Sequence, residues 1–138
     1  MTDFTQLENH LRSLYAENPF VTLLQMEIAE MAEGKAILSM PIVTKHANLY
    51  KATHGGAIAS LADTAMGMAC ATTGKKVVTL DMNLNYIRNV PIGDSLTAVA
   101  NLIHNGSRTM VTETNIYNSE NKLVVAARAT FFVTGTFL

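Results

Sequence analysis

Asp63 is the first candidate for chemistry, because it is the only formally charged residue in the apolar segment 55–73. An ionised carboxylate is costly to remove from water, so it is normally paired, hydrogen-bonded or placed at a wet cleft. The solvent-facing stripe of a helix usually carries several charges. The helical neighbours of Asp63 carry none: they are Ala59, Ser60, Met66 and Gly67. A lone acid on a solvated face is the alternative, but these neighbours favour a functional site or a subunit contact.

The start of the same segment, His54-Gly55-Gly56, offers a second chemical group, the backbone amides of a helix start. The two glycines lack Cβ atoms, so a ligand can approach closely, and Gly56 is therefore a substrate-binding candidate. Free N–H groups in a first helical turn, with the positive end of the helix dipole behind them, can stabilise a developing oxyanion. The alternative is an ordinary turn into a helix.

The spacing of these two candidates predicts an oligomer. Gly55 and Asp63 are eight residues apart, which at a rise of about 1.5 Å per residue places them ~12 Å apart along a helix. One chain therefore cannot bring the Asp63 carboxylate to a carbonyl group bound at its own Gly55 amide. If both groups act on one substrate, a second subunit must supply one of them, and a two-fold dimer then forms two equivalent sites at its interface.

Hydrophobic periodicity indicates the elements that position these groups. Apolar residues at helical spacing predict an N-terminal helix within residues 1–18, ended by Asn18-Pro19. A long central helix is predicted from Gly55 to about Gly74, where a glycine suits a C-terminal cap. Residues 44–53 have no clear period and predict a loop. Six segments read as strands: Val21–Glu33, Lys35–Ile42, Val77–Val90, Asp94–His104, Arg108–Asn118 and Lys122–Val133.

This order of elements predicts an α+β fold. Consecutive hairpins favour an antiparallel sheet. A helix that is apolar on most sides must be enclosed, so a curved sheet wrapped around the central helix is the expected solution. The 138 residues fit one domain, 1–138, with no repeat or linker.

Composition limits the classes of function. Ten basic and eleven acidic residues give a net charge of −1, which leaves no electrostatic footprint for nucleic acid or an anionic membrane. Asp63 and Gly67 interrupt the apolar segment, which argues against a transmembrane helix. The N-terminal residues do not resemble a signal peptide, and the single cysteine, Cys70, cannot form an intrachain disulfide. We therefore expect a soluble cytoplasmic protein without membrane insertion.

Two segments resemble a known family. The sequence Asn48-Leu-Tyr-Lys-Ala-Thr-His54-Gly55-Gly56-Ala-Ile-Ala-Ser-Leu-Ala-Asp63 is similar to the signature of hotdog-fold acyl-CoA thioesterases of the phenylacetate-degradation, or PaaI-like, type. Thr79-Leu-Asp-Met-Asn-Leu-Asn-Tyr86 is similar to that family's strand after the helix. The likeness extends over residues 20–133. It implies a hotdog fold, in which an antiparallel sheet wraps a long helix, and homodimers that commonly pair into homotetramers.

The resemblance also implies roles for individual residues. Asp63 matches the catalytic acid, which acts as nucleophile or general base, and Gly55 matches the position whose amide polarises the thioester carbonyl. Asn48 and His54 match residues that orient the carbonyl, the attacking water or one another. Thr79 falls where some members have a hydroxyl that helps to place water. Whether the acid attacks directly or through water stays open.

Basic residues are candidates for binding the phosphates of coenzyme A. The preferred segments are Arg88 and the run Asn105, Gly106, Ser107 and Arg108. Ordinary solvated charges at strand ends are the alternative. The chemistry needs no metal or cofactor, since a thioester is electrophilic and its thiolate leaves readily. A metal site from His46, His54 and Asp63 is disfavoured, because the histidines lack ligand spacing.

These observations together predict an acyl-CoA thioesterase that acts on its substrate at a subunit interface. Two alternatives stay open: an acyl-thioester hydratase or dehydratase of the same fold, and a non-catalytic module that binds acyl-CoA. The sequence does not define the acyl group, because a pocket built from two chains cannot be measured from one.

Overall fold

The computed structural model describes residues 3–137, in which three α-helices accompany one six-stranded sheet. The helices are α1 (Phe4–Ala16), α2 (Pro19–Leu23) and α3 (Gly55–Ala71). The strands are β1 (Glu27–Ala32), β2 (Lys35–Pro41), β3 (Lys75–Tyr86), β4 (Ser95–Asn105), β5 (Thr109–Tyr117) and β6 (Leu123–Thr136). A short 3-10 turn at Thr44–His46 lies in the segment predicted as a loop.

The sheet encloses the central helix. Its strand order is β1-β2-β4-β5-β6-β3 with every pair antiparallel, and α3 packs against β2, β3, β4, β5 and β6. Leu61, Met66 and Met68 of α3 are fully buried between helix and sheet. Burying a side chain of this size contributes about 1.5–3 kcal/mol. The predicted α+β architecture, a long helix wrapped by an antiparallel sheet, is confirmed.

Local sequence explains both ends of α3. His54 is the N-cap, and its ring accepts a hydrogen bond from the Gly56 amide. Alanines fill much of the helix surface, so the sheet can approach closely without large side chains between them. The helix ends at Ala71, and Gly74 then adopts a φ of +89°, which only glycine tolerates easily, to turn the chain into β3.

The predicted strand Val21–Glu33 is wrong in its first part. The chain instead forms α2 at Pro19–Leu23 and enters β1 only at Glu27. The side chain of Asn18 caps α2 by accepting a hydrogen bond from the Val21 amide, and Pro19 occupies the first turn, where its missing N–H is harmless. Asn18-Pro19 thus starts a second helix as well as ending the first.

Strand β3 contains a β-bulge at Leu80. The register pairs Thr79 with Phe131 on β6 and resumes at Asp81, which leaves Leu80 without a residue opposite. Because Phe131 is buried beside α3, its partner Thr79 also faces the helix. The extra residue shifts the alternation of side chains, so that even-numbered residues up to Tyr86 face the helix after the bulge.

The outer edge of β3 carries large exposed apolar side chains. Val78 is 52% exposed, Leu80 58% and Tyr86 54%. This edge has no strand beside it within residues 3–137. An apolar open edge is a template for pairing with another chain. In the same part of the sequence, no helix is long and apolar enough to cross a membrane.

Candidate active site

Asp63 lies in the middle of α3, half-buried, with its carboxylate facing β3. Thr79 donates a hydrogen bond from Oγ1 to Asp63 Oδ1 over 2.7 Å. This contact fixes one carboxylate oxygen and leaves the other free to act. The structure therefore brings together two of the predicted catalytic residues from different elements.

A cavity of about 320 Å³ opens beside Asp63. Its walls come from the N-terminal helices, from α3, from the start of β3 and from the end of β6, and they include Tyr15, Phe20, Gly67, Val77, Thr79 and Phe131. Gly67 lies one turn after Asp63. A Cβ built there would be 3.7 Å from the Phe131 ring, an ordinary contact, so close packing does not require glycine. The absent side chain instead widens the cavity.

Tyr15 is a wall residue that sequence analysis did not select. Burial raises the pKa of Tyr15 to about 12, and the negative charge of Asp63 contributes to that shift. The phenol therefore keeps its proton at neutral pH and presents a donor to the cavity. Its helical spacing with Leu7 and Leu11 assigns it to the packed face of α1 and gave no sign of the cavity.

The start of α3 presents one free amide. The Gly56 amide donates to His54 Nδ1 over 2.8 Å. The role of Gly56 in binding substrate, predicted from its missing Cβ, stays a prediction. The Gly55 amide has no hydrogen-bond partner in the described part of the chain. Because Nδ1 of His54 accepts a bond, a neutral imidazole carries its proton on Nε2, and this ring is exposed. The helix start thus offers two hydrogen-bond donors, the Gly55 N–H and the Nε2–H of a neutral His54.

Tyr86 also contacts this helix start. Its hydroxyl donates to the Gly55 carbonyl oxygen over 2.8 Å. Tyr86 lies in the segment that resembles the family's strand, but no role was predicted for it. Counting alternate residues from Thr79 places Tyr86 on the other face of β3, and only the bulge at Leu80 turns it towards α3.

Asn48 organises the loop before α3. Its Oδ1 accepts hydrogen bonds from the amides of Tyr50 at 2.8 Å and Ala52 at 3.1 Å. The same loop is tied to the core through His46, whose backbone carbonyl accepts from the His54 amide at 2.7 Å. The backbone amide of Asn48 donates to the Ala52 carbonyl at 2.7 Å, whereas its side-chain nitrogen, Nδ2, has no partner among the residues described and remains a donor for a ligand.

His46 has a structural role. It is 1% exposed, its Nδ1 accepts from the Val43 amide at 3.0 Å, and its Nε2 lies 2.8 Å from the Leu24 carbonyl oxygen. Both ring nitrogens are therefore engaged. Across residues 3–137, no three His, Cys, Asp or Glu side chains form a group that could hold a metal ion. His46, His54 and Asp63 do not converge.

The two predicted coenzyme A segments lie far apart in one chain. The Arg88 amide donates to Val124 near the start of β6, whereas the Arg108 carbonyl accepts from Val133 near its end. Nine residues of extended strand separate these points, which corresponds to ~30 Å. A single protomer therefore does not join Arg88 to Arg108.

The run 105–108 instead contacts the beginning of β3. The Lys75 ammonium donates to Asn105 Oδ1 at 2.7 Å and to the Gly106 carbonyl at 2.9 Å. Lys75 also lines the cavity beside Asp63. Ser107 and Arg108 are exposed at the same end of the sheet. This end, rather than Arg88, is where one chain places positive charge next to the cavity.

An antiparallel sheet around one long helix, with an acid in mid-helix beside a cavity, defines a hotdog-fold enzyme. The model of the Thioesterase superfamily matches residues 50–125. The acyl-coenzyme A thioesterase PaaI of Escherichia coli is 33% identical over 116 residues, which cover 84% of this chain and 83% of PaaI. The chain therefore belongs to the Thioesterase superfamily, as a PaaI-like hotdog thioesterase.

Solved structures agree with this assignment. The E. coli PaaI protein from the phenylacetic acid degradation operon has a TM-score of 0.90 at 30% identity, and the match covers 96% of both chains. A Streptococcus mutans protein solved with acetyl CoA bound has a TM-score of 0.79 at 31% identity, covering 82% of this chain and 91% of that one. The predicted family and hotdog fold are confirmed.

Proposed function

We propose that the protein hydrolyses acyl-CoA thioesters to the free carboxylic acid and coenzyme A. The observation that carries this proposal is the Asp63 carboxylate, held by Thr79 at the mouth of a cavity in a thioesterase fold. The names of its relatives support the substrate class: PaaI is an acyl-coenzyme A thioesterase, and the S. mutans neighbour was solved with acetyl CoA.

The chemistry requires an acid and an oxyanion donor. Asp63 Oδ1 is engaged by Thr79, so the second oxygen attacks the thioester carbon or takes a proton from an attacking water. The carbonyl oxygen accepts a hydrogen bond from the Gly55 amide as negative charge develops on it. The tetrahedral intermediate then collapses, the C–S bond breaks, and the coenzyme A thiolate leaves and takes up a proton. Where water attacks, this step gives the free acid directly. Where Asp63 attacks, it gives a mixed anhydride, and a water molecule then hydrolyses the anhydride to the free acid and the Asp63 carboxylate. The choice between the two roles of Asp63 stays open.

The two groups come from different copies of the chain. Within one α3 they are ~12 Å apart, so one carbonyl cannot reach both. Thr79 is hydrogen-bonded to Asp63, and Tyr86 is hydrogen-bonded to Gly55. Along the direction of β3, Asp63 therefore lies beside Thr79 and Gly55 lies beside Tyr86. Two copies can pair along their β3 edges in antiparallel fashion, with Thr79 of one copy opposite Tyr86 of the other. In that arrangement Asp63 of one copy lies at the same position along the strands as Gly55 of the other. The exposed apolar residues of this edge favour such pairing.

The same pairing brings the two predicted coenzyme A-binding segments, one from each copy, close together. An antiparallel partner brings Arg88, just after β3, to the end of the second copy's β3 where Lys75 and the run 105–108 lie. We therefore retain Arg88 and Arg108 as phosphate-binding candidates that act across the interface. Val78 and Phe132 are cross-strand neighbours on the outer sheet face and are exposed, which supports further pairing of dimers into tetramers. A cytoplasmic location stays a prediction.

The direct test is release of free thiol from a panel of acetyl-, medium-chain and aryl-acyl-CoA substrates. Wild type is expected to turn over at least one of them, whereas Asp63→Asn is expected to be inactive but folded. Glu120→Gln makes the same carboxylate-to-amide change in an exposed turn and should keep full activity. Thiol release by Asp63→Asn at the wild-type rate would refute the catalytic assignment.

The panel also separates the alternatives. A hydratase or dehydratase would change the acyl chain without releasing thiol, and mass spectrometry of the acyl-CoA would detect the change. An acyl-CoA-binding module would bind substrate in calorimetry with no product. Either result would replace the proposed hydrolysis.

A further inference from the structure

Strand β3 contacts the catalytic helix through two hydroxyl groups. Thr79 donates to the acid in mid-helix, and Tyr86, at the last position of the strand, donates to the carbonyl of Gly55 at the helix start. Both side chains face α3 only because the bulge at Leu80 shifts the alternation between them. The contact of Tyr86 therefore depends on a specific irregularity of the strand.

Gly55 needs an external constraint. Glycine populates many more backbone conformations than other residues, and Gly56 follows it directly. The first turn of a helix also lacks the hydrogen bonds that hold later amides. The Ala57 amide donates to the His54 carbonyl over 3.0 Å and so holds the peptide unit that carries the Gly55 N–H, whereas the position of Gly55 itself depends on what contacts its Cα and its carbonyl.

The ring of Tyr86 supplies that constraint as well as its hydroxyl. A Cβ built on Gly55 would lie 3.3 Å from the Tyr86 hydroxyl oxygen and 3.4 and 3.5 Å from two ring carbons. The ring thus occupies the space that a side chain at Gly55 would need. The missing Cβ lets the tyrosine approach, and the hydrogen bond then holds the Gly55 carbonyl. The ring and the hydroxyl together restrain the Cα next to the N–H that is the proposed donor.

We infer that Tyr86 is a positioning residue, which orients the Gly55 amide towards the thioester carbonyl bound by a second copy. This inference rests on the proposed hydrolysis, in which that amide is the oxyanion donor. Tyr86 touches no reacting atom and acts through the Gly55 backbone. The strand that aligns the acid at one end of the helix therefore aligns the donor at the other.

The protonation of Tyr86 agrees with this role. Partial burial raises the pKa of the Tyr86 phenol above its ordinary value of 10.0. The hydroxyl therefore remains a donor through the neutral range. The contribution of Tyr86 should not vary with pH there, so a Tyr86 variant should lower the rate without moving the pH profile.

The test compares Tyr86→Phe with Tyr117→Phe, which removes a hydroxyl from the last residue of β5, a strand that β6 separates from β3. Because only orientation is lost, Tyr86→Phe is expected to lower kcat about tenfold and to change KM less than about twofold. Hydrogen exchange of the Gly56 and Ala57 amides, which both donate to His54, should accelerate in Tyr86→Phe without substrate, since the helix start is released. Tyr117→Phe should match wild type in both measurements.

Three outcomes would overturn the inference: an unchanged kcat in Tyr86→Phe, a loss that appears only in KM, or unaltered exchange at Gly56 and Ala57. A variant that has lost its dimer by light scattering would point to an interface role instead. The exchange measurement needs no substrate. If wild type releases no thiol, the proposed function fails by itself, while exchange still reports whether Tyr86 holds the helix start.

Discussion

Gly55→Pro tests the oxyanion donor, because proline removes the N–H at this position. Gly55 is the first residue of α3, where proline is well tolerated in helices. The preceding residue, His54, has φ −69° and ψ 128°, which is the extended conformation that a following proline requires. A Cβ at this position would lie 3.3 Å from the Tyr86 hydroxyl and 3.4 Å from its ring, so Tyr86 must shift by a few tenths of an ångström. Gly55→Ala adds the same Cβ but keeps the N–H, and it therefore separates this shift from the loss of the donor.

The expected loss follows from the role of the amide. Removing one oxyanion donor typically lowers kcat about 10²–10³-fold, or roughly 2.7–4 kcal/mol of transition-state stabilisation. Thiol release measures kcat, while circular dichroism and light scattering check the fold and the dimer. Activity within about threefold of wild type, in a folded dimer, would show that this amide is not the donor.

Mixing variants tests whether the two groups come from different copies. Gly55→Pro and Asp63→Asn are each expected to be nearly inactive alone. In a coexpressed mixture about half of the dimers are mixed, and each has one intact site and one site with both lesions, so about a quarter of wild-type activity returns. If each site is formed within one chain, every site keeps a lesion and no activity returns. That result would refute the proposed interface.

Three further changes have defined outcomes. Thr79→Val removes a charge-assisted hydrogen bond of about 1.5 kcal/mol and should lower kcat roughly tenfold. Thr79→Ser keeps the hydroxyl and should stay near wild type. An equal loss of kcat in both variants would contradict a role for the Thr79 hydroxyl. Gly67→Ala should stabilise α3 by about 1 kcal/mol in thermal unfolding and should reduce kcat/KM for bulky acyl groups more than for acetyl; uniform losses across the panel would argue against this wall. Burial raises the pKa of the Cys70 thiol from 9.0 to about 12, so in this pH range the folded state keeps a proton that the unfolded state releases. The free energy of unfolding should therefore fall as pH rises from 9 towards 12, and its dependence on pH should be weaker in Cys70→Ala.

The central helix and its acid could be predicted because their signals are local. One charge in a long apolar segment, entered through His54-Gly55-Gly56, indicates both a helix and a site without knowledge of other elements. The contact between Asp63 and Thr79 could also be predicted, since each residue lies in a segment that resembles the family. The ~12 Å spacing along one helix also predicted a second copy, on the condition that both groups act on one substrate.

The errors lie where one sequence signal has two physical readings. Asn18-Pro19 ends α1 and also starts α2, because an Asn cap and a proline suit either side of a helix boundary. Tyr86 was missed because a strand alternates with a period of two, and a single bulge reverses the face of every residue after it. The bulge at Leu80 depends on pairing with β6, which no local pattern reports.

The separation of Arg88 from Arg108 has a different cause. Both lie at strand ends, and strand ends are recognisable from the turns that flank them. Which end of the sheet each turn occupies depends on the spatial order of the strands, because β3 pairs with β6 rather than with β4. That order is a property of the whole fold.

The open edge of β3 links catalysis to the amount of protein present. On the proposed interface, a newly made chain carries an acid and an amide that belong to two different sites, and neither works until a second copy arrives. By mass action, dilution below the dimer dissociation constant would reduce the turnover of each chain while leaving every residue intact. Specific activity would then report the degree of subunit association, and a low concentration of the chain in a cell would be enough to keep the enzyme inactive.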